Sequence, residues 1–176
     1  VENTKPALES IASSTQYNST SRLYALNTPN IWTFSVQNIT TASFTCYIIG
    51  SNTPSDKGFL LLTNAANDQI RMGTIRTATR VSNFGAIGSI EGHKVVSAFA
   101  NRTTYGGYIN NVLQGSASDT NTDFATFTSN SVFGTSELSA RSIKGKTQEL
   151  ILWETDQSSN RADIEANQAT YYGITI

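Results

Sequence analysis

Two stretches of this sequence hold residue types that bind ligands, and the first is a run of oxygen-bearing side chains. It reads Asp119-Thr120-Asn121-Thr122-Asp123. Calcium accepts carboxylate and amide oxygens of this kind, so Asp119, Asn121 and Asp123 are candidate calcium ligands. The run lacks the complete Asp-x-Asp-x-Asp-Gly loop and distal Glu of an EF-hand. A plain polar loop explains the same residues more simply, and that alternative stays open.

The second stretch combines aromatic rings with amides, which is the chemistry of a shallow glycan site. Such a site needs an apolar platform for the sugar ring and a few placed polar groups for its hydroxyls. The segment Tyr105-Gly106-Gly107-Tyr108 precedes two asparagines, and one tryptophan lies on a strand predicted to be half-exposed. The candidate glycan-binding residues are Arg102, Tyr105, Tyr108, Asn110, Asn111 and Trp32.

The same stretch also has a purely structural interpretation. Tyr108 and Ile109 alternate as a hairpin strand does, and Asn110-Asn111 then forms its tight turn, because Asn tolerates positive φ. This alternative accounts for both asparagines and is favoured over a glycan site.

Nucleophilic catalysis finds little support. His93 is the only histidine, and the chain has no Gly-x-Ser-x-Gly elbow to recruit it. We interpret His93 as a surface or edge-strand residue. Cys46, the single cysteine, is interpreted as a small buried hydrophobe, and a lone cysteine excludes a disulfide within the chain.

Residues 145–173 predict a strand, a polar turn and a helix. Residues 150–153 form an unbroken apolar run, which is typical of a strand covered on both faces and makes Trp153 a core residue. Ser158 or Ser159 is placed to cap the helix, whose first turn holds Asp163. Ile164, Gln168 and Tyr171 share one side of it, and Gly173 fits a left-handed C-cap.

The rest of the chain predicts short strands separated by turn signals about every 8 to 12 residues, the spacing of a sandwich or barrel. Residues 1–21 are polar and weakly periodic, and we predict an arm or linker there and a single domain over residues 22–176. Residues 32–36 alternate as a half-exposed strand does. Predicted strands cover residues 22–26, 32–36, 44–49, 58–63, 69–77, 94–100, 105–110, 124–128, 139–143 and 148–154.

Composition excludes several classes of protein. The 176 residues are 38% hydrophobic and only 14% charged, with a net charge of −1. A near-neutral chain lacks the basic surface that nucleic-acid binding requires. The apolar runs are far shorter than the roughly 18 residues of a membrane span, so we predict no membrane insertion. Abundant Ser, Thr and Asn suit the neutral polar surface of an extracellular or particle-surface protein.

The closing run KGKTQELILWETDQSSNRADIEANQATYYGI, together with the hairpin Tyr108-Ile109-Asn110-Asn111-Val112 and the pair Phe133-Gly134, resembles laminin G-like, concanavalin A-like domains. The likeness covers roughly residues 40–176. Within this family, the sequence is most similar to the forms found in bacterial and phage surface proteins. It implies an all-β jelly-roll sandwich of two antiparallel sheets with one C-terminal helix. This fold hosts lectins, glycanases, adhesion modules and spacers, so it specifies function poorly.

Glucanases of this fold carry a Glu-x-Asp-x-x-Glu strand. Glu154-Thr155-Asp156 begins that pattern, but the second glutamate is missing, and Asp156 is better explained as a turn or capping residue. We therefore expect a non-enzymatic recognition domain that binds a cell-surface glycan or receptor, extracellular or on a virion, with host attachment or adhesion as its task. Several copies would raise the avidity of weak sites, which suggests a homo-oligomer or a larger virion assembly. The alternative is a structural module of a viral fibre, tail or capsid that binds only protein neighbours.

Overall fold

The computed structural model describes residues 5–10, 17–19, 30–41, 47–51, 58–64, 69–75, 79–83, 91–101, 103–118, 130–132 and 144–176. Side chains are described for residues 5–7, 30–39, 91–101, 103–118 and 145–176. In chain order the strands are β1 (Leu8–Ser10), β2 (Tyr17–Ser19), β3 (Asn30–Thr41), β4 (Tyr47–Ser51), β5 (Gly58–Asn64), β6 (Gln69–Ile75), β7 (Thr79–Asn83), β8 (Gly92–Asn101), β9 (Thr104–Ile109), β10 (Val112–Ser118), β11 (Asn130–Val132) and β12 (Lys144–Trp153). One helix, α1 (Arg161–Tyr172), follows.

The described strands form two antiparallel sheets. The first, which we call the helix sheet, has the order β1-β12-β3-β8-β9-β10, and the second has the order β2-β11-β4-β5-β6-β7. Every recorded strand pair is antiparallel, and β6 of the second sheet approaches β9 of the helix sheet. Strands far apart in the chain, such as β3 and β12, are neighbours, as in sandwiches with crossover connections.

The centre of the helix sheet is the most deeply buried part of the described chain. In β3, both Phe34 and its neighbour Ser35 are fully buried, although they point to opposite faces. A strand buried on both faces needs a layer on each side. Helix α1 packs on one face through a cluster that includes Val36, Val95 and Tyr172, and the second sheet of the sandwich supplies the other layer.

Two predicted exposures are therefore reversed. Residues 32–36, expected to be half-exposed, are buried on both faces, whereas residues 150–153 are only half-buried. The alternation in β3 combines large apolar residues under the helix with Thr33 and Ser35, whose hydroxyls donate to the carbonyls of Ala98 and Val96 in β8. Small hydroxyl side chains satisfied by backbone carbonyls can be buried, so their polarity did not indicate solvent.

Aromatic rings form a continuous row across the helix side of this sheet. Trp32 stacks on Phe99 with centroids 4.9 Å apart, and Phe34 meets Trp153 edge-on at 5.4 Å. Gly106, opposite Phe99 on β9, leaves the room that this ring occupies. A Cβ at Gly106 would come within 2.6 Å of the Phe99 ring and 2.9 Å of the Gly115 carbonyl.

The N-terminal segment differs from the predicted arm. Residues 8–10 pair with β12 and residues 17–19 pair with β11, so this segment contributes one strand to each sheet. These strands are three residues long, too short to show a hydrophobic period. The division of the chain at residue 22 stays a prediction.

Helix α1 largely follows its prediction. Gly173 has φ of 70° and forms the left-handed C-cap, and Asp163 lies in the first turn. The N-cap is Asn160 rather than Ser158 or Ser159, and it makes no side-chain capping hydrogen bond. The buried stripe consists of Glu165, Gln168, Ala169 and Tyr172. Tyr171, expected on the same side as Gln168, is outside this buried stripe and is 56% exposed at its border.

The remaining strand predictions have mixed outcomes. The hairpin predicted over residues 58–63 and 69–77 is confirmed as β5 and β6, and strands over 94–100 and 105–110 are confirmed as β8 and β9. Strand β7, residues 79–83, lies outside the predicted strands. The predicted strands at 22–26, 124–128 and 139–143, together with Cys46, lie outside the described residues.

Candidate functional site

The β9–β10 hairpin turn has the geometry of the structural interpretation. Asn110 and Asn111 both have positive φ, 47° and 66°, as a tight hairpin turn requires. The Asn110 backbone N–H donates to the Val95 carbonyl, and the Val95 N–H donates to Asn110 Oδ1, each at 2.9 Å. Asn110 thus extends the pairing with β8, and its side chain is already engaged.

Arg161 of the helix engages the other polar and aromatic groups of this hairpin. Its guanidinium lies 4.0 Å from the centroid of the Tyr108 ring, a cation–π contact. It donates to Asn111 Oδ1 at 2.7 Å and to Glu165 Oε1 at 3.0 Å. The buried Glu165 carboxylate also accepts from Ser97 Oγ at 2.5 Å. We call Tyr108, Asn110 and Asn111 the hairpin surface; the Tyr108 ring and the amide oxygens of both asparagines already have partners within the protein.

Two further predicted ligand residues are buried. Trp32 is 4% exposed and Tyr105 is 5% exposed, so neither ring presents a face to a ligand here, and the expected Trp32 platform is wrong. Tyr105 also lies on the opposite side of β9 from Tyr108, because side chains alternate along a strand. Arg102, Asp119, Asn121 and Asp123 lie outside the described residues, and the calcium site stays a prediction.

A cavity of about 440 Å³ lies between α1 and β12 on the helix side of the sheet. We call it the helix–strand cavity. Strand β12 contributes alternate residues, which point to the same face, and the helix contributes residues three and four positions apart. Its lining is Glu149, Ile151, Trp153, Ile164, Asn167, Gln168, Tyr171 and Tyr172.

The cavity contains polar groups with unused hydrogen-bonding capacity. Gln168 Nε2 donates to Glu149 Oε2 at 2.9 Å, but Gln168 Oε1 is buried without a hydrogen-bond partner. A buried acceptor left unpaired costs about 1–3 kcal/mol. The terminal torsion of a glutamine side chain is soft, so rotation about it can turn this oxygen towards a guest in the cavity.

The tyrosines show the electrostatic character of this site. Burial is the main cause that raises the pKa of Tyr172, and the negative charge of Glu149 and neighbouring Tyr171 raise it further. Tyr171 meets Tyr172 edge-on with centroids 4.8 Å apart. The Lys5 ammonium lies over the Tyr171 ring, 4.0 Å from its centroid, so the N-terminal segment reaches the rim of the cavity.

The acidic turn between β12 and α1 serves structure. Asp156 accepts hydrogen bonds from the Ser158 backbone N–H at 2.9 Å and from its hydroxyl at 3.1 Å, which confirms the predicted turn role. The backbone hydrogen bond from Ser158 is the main cause that lowers the pKa of Asp156. Desolvation, the next largest effect, raises it, and bonds from the Ser158 hydroxyl and Trp32 lower it further. A catalytic general acid needs a raised pKa, so this carboxyl is unsuited to that role.

His93 differs from its prediction. The histidine lies on β8, which is an interior strand of the helix sheet and not an edge strand. Its side chain is half-buried. Its Nε2 is hydrogen-bonded to Gln148 Oε1 at 2.5 Å. Within the described part of the chain, no group of three His, Cys, Asp or Glu side chains is arranged to hold a metal ion.

The sequence contained a partial signal for the helix–strand cavity. Ile164, Gln168 and Tyr171 were predicted to share one helix side, and all three line it. A glutamine between two apolar residues of one stripe indicates a buried amide. The pattern could not show that β12 lies opposite this stripe, since that depends on the crossing of helix and sheet.

Several solved structures share this architecture. The carbohydrate-binding module CBM40 of the Ruminococcus gnavus IT-sialidase, solved with α2,3-sialyllactose bound, aligns with a TM-score of 0.72 and 15% identity over 92% of this chain and 97% of that one. The native heptameric SAP-like pentraxin of Limulus polyphemus aligns at 0.71, with 11% identity, 92% and 81% coverage. Domains LG4-5 of the mouse laminin α1 chain align at 0.65, with 8% identity, 83% and 41% coverage. No protein-family model matches the sequence, and no curated protein does.

These likenesses confirm the predicted fold class. The chain has a concanavalin A-like, laminin G-like jelly-roll fold with one C-terminal helix. Identities this low establish fold, and function has to be argued from the site. Among the described helices, none has the length and apolar character to cross a membrane.

Proposed function

We propose that this chain is a non-enzymatic recognition domain that binds glycan in the helix–strand cavity. The observation that carries the proposal is one open cavity in which three aromatic rings, those of Trp153, Tyr171 and Tyr172, stand beside the unpaired Gln168 Oε1. No described residue of the hairpin surface offers a comparable combination.

The chemistry of sugars matches this lining. A pyranose has an apolar face of C–H groups, which packs on an aromatic ring, and a rim of hydroxyls, which bond amides and carboxylates. Gln168 and Glu149 provide oxygen acceptors, and Asn167 provides an exposed amide. A glycan ring that enters the cavity would satisfy the Gln168 oxygen that the protein leaves unpaired.

The shared fold supports the class of ligand. The aligned R. gnavus module was solved with sialyllactose bound, which demonstrates that a sandwich of this shape can hold a sugar. Its 15% identity does not carry its binding residues to this chain, so the proposal rests on the cavity described above.

We place this recognition domain outside the cell or on a virion, where it would mediate host attachment or adhesion. The low charged fraction of 14% and the resemblance to phage and bacterial surface modules support that setting. A single small cavity gives weak binding, and display of several copies multiplies avidity, so a homo-oligomer fits the same role. Calcium held by Asp119, Asn121 and Asp123 belongs to the proposal as an optional cofactor.

A glycan array tests the proposal, with the chain presented multivalently in calcium and then in a chelator. Two matched variants separate the regions: Tyr171→Ala at the cavity and Leu113→Ala beside the hairpin, since both side chains are about half exposed. Binding should fall about tenfold in the first variant and stay unchanged in the second. Loss of binding in chelator would support the calcium site, and binding that survives would remove it.

The second candidate is a structural module that contacts only neighbouring protein subunits. Val112 and Leu113 favour it, because they are 62% and 52% exposed at the start of β10, the edge strand of the helix sheet. Exposed apolar residues on an edge strand suit contact with another chain. An array without any signal from folded, multivalent protein would make this the better assignment.

A further inference from the structure

The charge of the helix–strand cavity restricts which glycans fit. Of the eight described residues that line it, Glu149 is the only one with a formal charge. Because the cavity walls limit contact with water, the charge of Glu149 is screened less than on an open surface. The same charge contributes to the raised pKa of Tyr172 on the opposite wall. A second negative charge brought into this space would meet repulsion that solvent screens incompletely.

The hydrogen-bonding groups of the lining point the same way. Glu149 is an acceptor only, and the free atom of Gln168 is its oxygen. Two acceptors call for donors on the ligand. Sugar hydroxyls donate, whereas a carboxylate or sulfate group on a sugar only accepts.

A described cation, the Lys5 ammonium, lies near the cavity, and its position does not reverse this conclusion. The Lys5 ammonium lies over the Tyr171 ring at the rim, while Lys5 is absent from the lining itself. A ligand carboxylate beside Gln168 would therefore face Glu149 directly.

Building on the proposed glycan-binding function, we infer that the helix–strand cavity selects neutral, hydroxyl-donating sugars over the same sugars carrying an anionic residue. The selecting group is the Glu149 carboxylate. The inferred preference for neutral sugars differs from the case of the aligned R. gnavus module, which was solved with an anionic, sialylated sugar.

The test compares matched sugars that differ by one charged residue: lactose with α2,3-sialyllactose, and N-acetyllactosamine with its α2,3-sialylated form. The chain has two tryptophans, so indole N–H resonances report binding at millimolar sugar concentrations. The Trp153 signal should shift with neutral sugar, while that of Trp32, buried under the turn, should respond far less. The neutral member of each pair should bind about tenfold more tightly.

Glu149→Gln provides the matched variant, because glutamine keeps an oxygen that accepts from Gln168 and removes the charge. The neutral-to-sialylated ratio should drop to about threefold or less. Lys5→Met should leave the wild-type preference for neutral sugar in place, since the rim cation is not the selecting group.

Three results would overturn the inference. Equal or tighter binding of the sialylated partner by the wild type would do so, and this outcome would leave glycan recognition itself standing. A ratio unchanged in Glu149→Gln would remove Glu149 as the selecting group. Absence of a Trp153 shift with both neutral sugars would exclude the cavity, and silence of the whole array would in addition overturn the proposed function.

Discussion

The hairpin surface and the helix–strand cavity contain the same kinds of residue but differ in what those residues still have to offer. At the hairpin, Arg161 covers the Tyr108 ring and bonds Asn111, and Asn110 pairs with the backbone of β8. In the cavity, an amide oxygen on Gln168 has no partner. Both regions lie on the same side of the sheet, joined by the row of aromatic rings.

This comparison shows that aromatic and amide residues indicate a binding site only where their interactions remain unmade. When a guanidinium covers an aromatic ring, that face of the ring is occupied by an internal contact, and the contact stabilises the fold. An unpaired buried oxygen is the reverse case, because it lowers stability and gains a partner when a ligand binds. The four predictions below, from largest to smallest expected effect, test that distinction.

Arg161→Ala should cause the largest loss of stability. It removes the cationic partner of Glu165, whose side chain is fully buried, while Arg161 itself is 16% exposed. A buried carboxylate left without its cation is strongly destabilising, and we expect about 3 kcal/mol of lost unfolding free energy by urea denaturation. The double variant Arg161→Ala/Glu165→Gln should recover part of that loss, and no recovery would indicate that the ion pair is unimportant.

Gly106→Ala should follow, at roughly 2 kcal/mol, because its methyl group overpacks the Phe99 ring and the Gly115 carbonyl. Gly107→Ala is the control: its Cβ would meet Ser97 O at 3.2 Å and Ala98 Cβ at 3.9 Å. Thermal unfolding of the two variants measures the difference. Equal destabilisation would contradict the assignment of Phe99 to this tight contact.

Gln168→Leu should change stability little and binding much. The variant loses the hydrogen bond to Glu149 but also removes the unpaired oxygen, so the unfolding free energy should stay within about 0.5 kcal/mol of wild type. Affinity for neutral glycan should fall about tenfold. A large stability loss with unchanged affinity would assign Gln168 to the core and exclude it from the site.

Asp156→Asn should give the smallest effect, visible in the pH dependence of stability. The folded-state pKa of Asp156 is lowered, so its contribution is present above its unfolded-state pKa and disappears as pH falls through the folded value. Because Asp156 is exposed, we expect only about 0.3 kcal/mol. Denaturation curves of the wild type and variant should converge as the pH falls below about 4. Parallel curves would contradict a role for the ionised carboxylate.

The sequence predicted local features well and layer contacts poorly. The Asn110-Asn111 turn and the Gly173 C-cap were correct, because each depends on the φ preference of one or two residues. The burial of β3 was missed, since Thr33 and Ser35 find their partners on β8, more than 60 residues later in the chain.

The candidate site shows the same limit. A row of suitable residue types made the hairpin surface a candidate site beside the favoured structural turn. The position of Arg161, 50 residues beyond Asn111, shows that part of this surface is already engaged. The cavity depends on the crossing of α1 over β12, which no short pattern contains. Whether an interaction is left unmade depends on the folded chain. Residue types in the sequence therefore suggest candidate sites, and the folded structure shows which of them have groups free to bind a ligand.

The two short N-terminal strands make the first residues of the chain a protective cover. Each covers a short row of backbone N–H and C=O groups, β1 along residues 145–147 of β12 and β2 along β11. A chain shortened to start at residue 22 would keep the central layers but expose both rows, which are ready to pair with another molecule. Such a truncated protein should self-associate and precipitate during purification, and a trimming protease would then act as a trigger for aggregation.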